Sequence, residues 1–201
     1  DWVTETPFEN RTAVTLTVTD DGGLSSTCTA YVTVEDLVPP IALCRDITVQ
    51  LDAFGNASIT GADVDNGSYD NCGVASLDVS PADFTCADLG ENTVTLTVTD
   101  LGGNTATCLA TVTVEDNVDL VLISPAANGT VECDGAGNDA DYDAWVAAHG
   151  GADASDACGV VTWSHELDQV ATACGETSVA TVTFTATDGS DNSVSTTATF
   201  T

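Results

Sequence analysis

Two residue types in this chain bring chemistry with them: carboxylates and cysteines. Thirty-two aspartates and glutamates stand against two arginines, Arg11 and Arg45, with no lysine, so the formal charge is −30. With two cations to pair with, most carboxylates must be solvated, screened by salt or bound to metal ions. Dense hard-oxygen donors suit Ca²⁺. The densest run is Asp134, Asn138, Asp139, Asp141 and Asp143, which is the expected metal site. A second run holds Asp63, Asp65, Asn66 and Asp70, and the pairs Glu35-Asp36 and Glu115-Asp116 could take calcium where repeats join. None of these matches a helix–loop–helix calcium loop, and the ordinary reading of an acidic run is a solvated face.

Eight cysteines without a methionine, in so acidic a chain, point to an oxidising extracellular setting. The spacing pairs Cys72 with Cys86, closing a 14-residue loop, and Cys44 with Cys108, tying an opening strand to a closing one. Cys158 and Cys174 occupy the corresponding places of Cys72 and Cys86 further along and are expected to pair. Cys28 and Cys133 are left unpaired within the chain.

Other chemistries find little support. His149 and His165 stand on different elements and no serine or cysteine lies in a nucleophile context, so the expectation is no enzyme. A surface with two cations cannot neutralise phosphates, which excludes nucleic acid. The apolar runs are too short for a membrane span. Four sequons, at Asn10, Asn56, Asn66 and Asn128, are glycosylation acceptors if the source permits it.

The elements that must carry these residues come from internal repetition. At an offset of 80, Thr15-Leu16-Thr17-Val18-Thr19-Asp20 recurs as Thr95-Leu96-Thr97-Val98-Thr99-Asp100, and Cys28 as Cys108. A third copy, Thr181-Val182-Thr183-Phe184-Thr185-Ala186-Thr187-Asp188, lies 88 beyond the second. Each copy alternates as a half-buried strand does, with Val14, Leu16 and Val18 on one face and threonines on the other. Turns rich in Gly, Asp and Asn follow, then a return strand with Cys108, Ala110, Val112 and Val114 facing inward.

The fold class is therefore all-β: tandem antiparallel β-sandwiches forming a rod. One short helix is expected over 139–149, with acids in its first turn and Gly150-Gly151 at its end. Residues 1–37 read as the C-terminal half of a first sandwich, 38–117 as a complete second one, and 118–201 as a divergent third carrying the helix. The expectation for the first is completion by upstream chain or by strands from a neighbour. Any export leader is expected to have been removed or to lie outside this stretch.

Asp70-Asn71-Cys72-Gly73, Phe84-Thr85-Cys86, Gly90 to Asp100 and Asn104 to Asp116 together resemble the hyalin-repeat type of immunoglobulin-like module. The last copy, with Thr130 to Gly135 and Asp156-Ala157-Cys158-Gly159, is similar to a related repeat of very long surface proteins of Bacteroidota-type bacteria. It departs from that repeat at Asp188-Gly189-Ser190-Asp191, where a cysteine usually stands in the turn. The resemblance implies a structural or adhesive part of an extracellular protein, without catalytic residues; taken with the disulfides and calcium expected from the residues above, the reading is a segment of an extracellular filament or cell-surface adhesin. Its partners would be neighbouring repeats or copies of itself, with surface glycans as a second class. The competing reading is a carbohydrate-binding or accessory module of a secreted enzyme, which an exposed aromatic cluster would favour.

Overall fold

A computed structural model describes residues 11–132, 138–172 and 178–201. Alternation of apolar and hydroxylated side chains gives strands almost everywhere. The chain starts with β1 (Arg11–Thr19) and β2 (Ser25–Thr33), an antiparallel hairpin in which Leu16 stands opposite Cys28. Its apolar face is uncovered: Val14, Leu16 and Val18 are 50–61% exposed, because no second layer of described residues packs on it.

The second sandwich is built from β3 (Ile47–Gln50), β4 (Asn56–Ser58), α1 (Gly61–Val64), β5 (Val74–Ser80), β6 (Asp83–Thr85), β7 (Gly90–Asp100) and β8 (Thr105–Glu115). One sheet runs in the order β3-β8-β7-β5, with β3 parallel to β8 and the rest antiparallel; β4 and β6 pair in the other layer. Val94, Leu96 and Val98 of β7 and Ala110, Val112 and Val114 of β8 turn inward onto Leu51, Ile59, Val64 and Phe84. The inward parity expected of these strands holds, and Leu109, on the opposite face, is exposed.

The third unit follows with β9 (Val121–Ser124), α2 (Asp139–Ala147), β10 (Asp153–Ser155), β11 (Thr162–Thr172), β12 (Ser178–Thr187) and β13 (Ser193–Phe200). Its sheets are β11-β12-β13 and β9-β10. The helix lies within the expected span and covers the sheet through Trp145, whose ring meets Phe184 edge-on at 5.3 Å and whose Nε1 donates to the Ala127 carbonyl at 3.1 Å. The edge strands β5 and β11 each carry an irregularity, between Val74 and Ser76 and between Leu167 and Gln169.

Two disulfides tie these units. Cys44 is bonded to Cys108 within the second sandwich, and Cys86 to Cys158 of the third. The second bond corrects two expectations from spacing. Val74 pairs with Asp100, which puts Cys72 at the hairpin end of β7, whereas Gly90 pairs with Val114, which puts Cys86 at the other end. The seven residues of β5, at about 3.3 Å each, separate the two cysteines by roughly 20 Å, so Cys72–Cys86 cannot form. Cys72 is a free, exposed thiol, as is Cys28. The Cys158 thiol is taken by Cys86, so the expected partnership with Cys174 is not made; Cys174 and Cys133 lie outside the described residues.

Each disulfide closes a long stretch, with separations of 64 and 72 residues. Loops of that size correspond to about 4 kcal/mol of lost unfolded-chain entropy apiece. Gly55 makes room for the second bond: a Cβ there would lie 2.4 Å from Cys86 Sγ, and its φ of +75° is one that glycine adopts without strain.

Candidate functional site

In three hairpins, β1–β2, β7–β8 and β12–β13, an aspartate at the turn closes it with its carboxylate. Asp20 Oδ1 accepts from Leu24 N at 2.9 Å, Asp100 Oδ1 from Asn104 N at 2.8 Å, and Asp188 Oδ1 from Asn192 N at 3.0 Å. In the last two hairpins the asparagine side chain also bonds the aspartate's second oxygen, at 2.9 Å in both. Its amide then reaches the preceding unit: Asn104 Nδ2 donates to the Asp36 carbonyl at 3.0 Å and Asn192 Nδ2 to the Asp116 carbonyl at 3.1 Å. The two junctions are thus built alike. Gly102 is fitted closely at the first, since a Cβ there would come within 2.8 Å of the Asp36 carbonyl oxygen.

Around each of these contacts, acidic groups gather. At the first junction one donor atom each of Asp36, Asp70 and Cys72 lie within 4.8 Å of one another. Asp70 Oδ2 is held by Cys72 N at 2.7 Å and Gly73 N at 3.2 Å, and Asp36 Oδ1 by Val38 N at 3.1 Å. The other oxygen of Asp36 is buried and outside hydrogen-bond geometry with any described donor. The Cys72 thiol beside it is pushed above its ordinary pKa, first by the Asp36 carboxylate, then by burial and the charges of Asp70 and Asp100. It stays protonated at neutral pH. Burial raises the pKa of Asp100, but bonds from the Asn104 side chain and from the amides of Asn104, Gly102 and Gly103 outweigh it and hold the carboxyl below its ordinary value.

The second junction is all oxygen. Asp116, Asp156 and Asp188 approach to within 4.8 Å. Asp156 Oδ2 accepts from Cys158 N at 2.6 Å, Asp116 Oδ1 from Val118 N at 3.1 Å, and Asp188 Oδ1 also from Ser190 N at 2.8 Å. Two full charges at that separation repel by about 3.5 kcal/mol at an effective dielectric of ~20. The cysteine of this copy, Cys158, points away into its disulfide.

The acidic runs of the sequence fare differently. Asp139, Asp141 and Asp143 lie on the exposed first turns of α2, where the helical period sends Asp141 away from the face shared by the other two. Their carboxylates do not come together, Asn138 precedes the helix with its Nδ2 on the Glu132 carbonyl at 2.9 Å, and Asp134 lies outside the described residues. In the other run Asp63 caps α1 by accepting from Thr60 N, and Asp65 accepts from Gly67 N and Ser68 N. Only Asp70 of that run reaches a junction. Of the two acidic pairs, Asp36 and Asp116 enter the clusters while Glu35 and Glu115 stay exposed. Asp100, Asn104, Asp156, Asp188 and Asn192 were not anticipated as site residues. Their recurrence as Asp-x-Cys-Gly and Asp-x-x-x-Asn in both copies was the available signal.

No convergent catalytic group appears among the described residues. His149 stacks on Trp163 at 4.9 Å, and His165 lies 6.5 Å from the Phe184 ring. Trp145 and Trp163 pack against the third core and so do not form an exposed aromatic platform. Asn56, Asn66 and Asn128 are exposed, and Asn10 lies outside the described residues.

No family model matches the chain, and no curated protein does. Among solved structures it is similar to protocadherin gamma C5 EC1-3, at 11% identity over 96% of this chain and 77% of that one, with a TM-score of 0.38. It is also similar to Sidekick-1 immunoglobulin domains 1–4, at 9% identity over 97% and 59%, with a TM-score of 0.35. For Drosophila N-cadherin EC1-4 the values are 12%, 98% and 59%, and the TM-score is 0.26. Superpositions this loose carry no argument about chemistry or partners.

Proposed function

We propose that this chain is a non-catalytic structural and adhesive segment of an extracellular filament or long cell-surface adhesin. Its units are residues 1–37, 38–117 and 118–201, stacked end to end as a rod. The observation that carries this reading is the Cys86–Cys158 bond, which crosses from one sandwich to the next. A disulfide so placed packs against the second core and also holds the angle between the two units. A like-built junction at Asp36 and at Asp116 supports the same reading, since identical joints generate a regular array. Calcium at such a joint would offset part of the −30 charge that otherwise drives the units apart. The partners are neighbouring repeats or further copies of the chain, and an oxidising extracellular compartment keeps the disulfides formed. Electron microscopy of the protein with calcium, before and after reduction, tests this. Straight rods or fibres that become bent or dispersed on reduction are expected. Compact isotropic particles under both conditions would overturn it.

A further inference from the structure

We propose that Asp116, Asp156 and Asp188 form a calcium-class cation site that locks the second sandwich to the third. This rests on the reading of a calcium-stiffened rod and gives it an address. Three carboxylates come from three separate segments: the end of β8, the loop before Cys158 and the start of the last hairpin. Their donor oxygens lie within 4.8 Å of one another, a spread compatible with 6–8 oxygens held at 2.3–2.6 Å around one calcium ion.

Crowding alone would not make a site, but one oxygen here is stranded. Asp156 Oδ1 is buried with no partner among the described residues. Asp116 is 5% exposed, and its Oδ1 accepts from Val118 N. Asp188 is 7% exposed. Buried carboxylate oxygens without donors are costly unless a cation meets them. Arg45 is engaged elsewhere, its Nε donating to the Asp63 carbonyl at 2.9 Å.

Donor chemistry and geometry favour calcium. The set is all oxygen, which disfavours soft metals. Carboxylates on three loops of two units suit the irregular shell of Ca²⁺ better than the strict octahedron of Mg²⁺. The first junction, where Asp36 Oδ2 is likewise buried without a partner among the described residues, contrasts only in its donor set. There the protonated Cys72 thiol enters the cluster, and a thiol is a poor calcium ligand. The disulfide accounts for the missing thiol: Cys158 is bonded to Cys86 and does not enter the second cluster, while Asp156 Oδ2 is held by Cys158 N as Asp70 Oδ2 is by Cys72 N.

The test is calorimetric titration of the chelator-treated oxidised full chain with calcium chloride at moderate salt, comparing wild type with Asp156→Asn and Asp70→Asn. The expected result is a binding event that survives Asp70→Asn and weakens about tenfold or more in Asp156→Asn. If Asp156→Asn disturbs the disulfide, as a non-reducing peptide map would show, Asp116→Asn reads the site from the other sandwich. Equal binding by wild type and both junction-two variants overturns the assignment, while a calcium-dependent rise in melting midpoint in all of them would leave the stiffened-rod reading standing. No calcium binding by wild type overturns both the site and the calcium part of that reading.

Discussion

Replacing Cys86 and Cys158 together by serine removes the bond between sandwiches without adding a thiol to the free Cys28 and Cys72. The bond spans a separation of 72 residues, and the unfolded-chain account assigns such a loop about 4 kcal/mol. For a chain of this size each kcal/mol moves the melting midpoint by about 2–4 °C, so the double variant should melt roughly 10 °C lower. Calorimetry under non-reducing conditions measures this. In parallel, the wild-type protein can be cleaved at its aspartates and mapped at low pH, where thiolates are too scarce for exchange. A peptide joining the segment around Cys86 to that around Cys158 is expected. A peptide joining Cys72 to Cys86, or an unchanged midpoint in the double variant, would refute the reasoning that the two ends of β5 are too far apart and that the bond crosses the junction.

Two further outcomes follow from the junction electrostatics. Asp63, Asp65 and Asp100 have folded-state pKa values held below the ordinary one, so their stabilisation is present above about pH 4 and is lost as the pH falls through the depressed values. The wild-type melting midpoint should therefore drop more steeply between about pH 4 and pH 2 than that of Asp100→Asn, and parallel curves would contradict the assignment. The Cys72 thiol, raised chiefly by Asp36, should be alkylated by iodoacetamide at pH 8 severalfold faster, to within about an order of magnitude, in Asp36→Asn; an unchanged rate would show that the carboxylate does not hold its proton.

The strands were legible because alternation is a local code. Val94, Leu96 and Val98 announce an inward face within five residues, and the helix at 139–147 announces itself by its acids and its glycine stop. The disulfides were half legible. Cys44 and Cys108 sit on adjoining parts of one sandwich, whereas Cys86 finds its partner in the next one, and spacing along the chain carries no information about which end of a sheet a cysteine occupies. The cation clusters were least legible for the same reason. Asp156 and Asp188 stand 32 positions apart in sequence and meet Asp116 only because the hairpin asparagine seats one unit on another. Asp139, Asp141 and Asp143 looked denser and were scattered by the turn of the helix.

The irregular edge strands bear on solubility. An exposed sheet edge is an invitation to pair with another molecule, and proteins commonly refuse it with inward lysines, bulges or prolines. This chain has no lysine, and on the edge strands β5 and β11 a break in register stands together with Asp78, Glu166 and Asp168. The carboxylates are groups that acid neutralises, while the breaks in register remain. Neutral and alkaline surroundings keep this charge in place along the two edges, whereas acidification removes it.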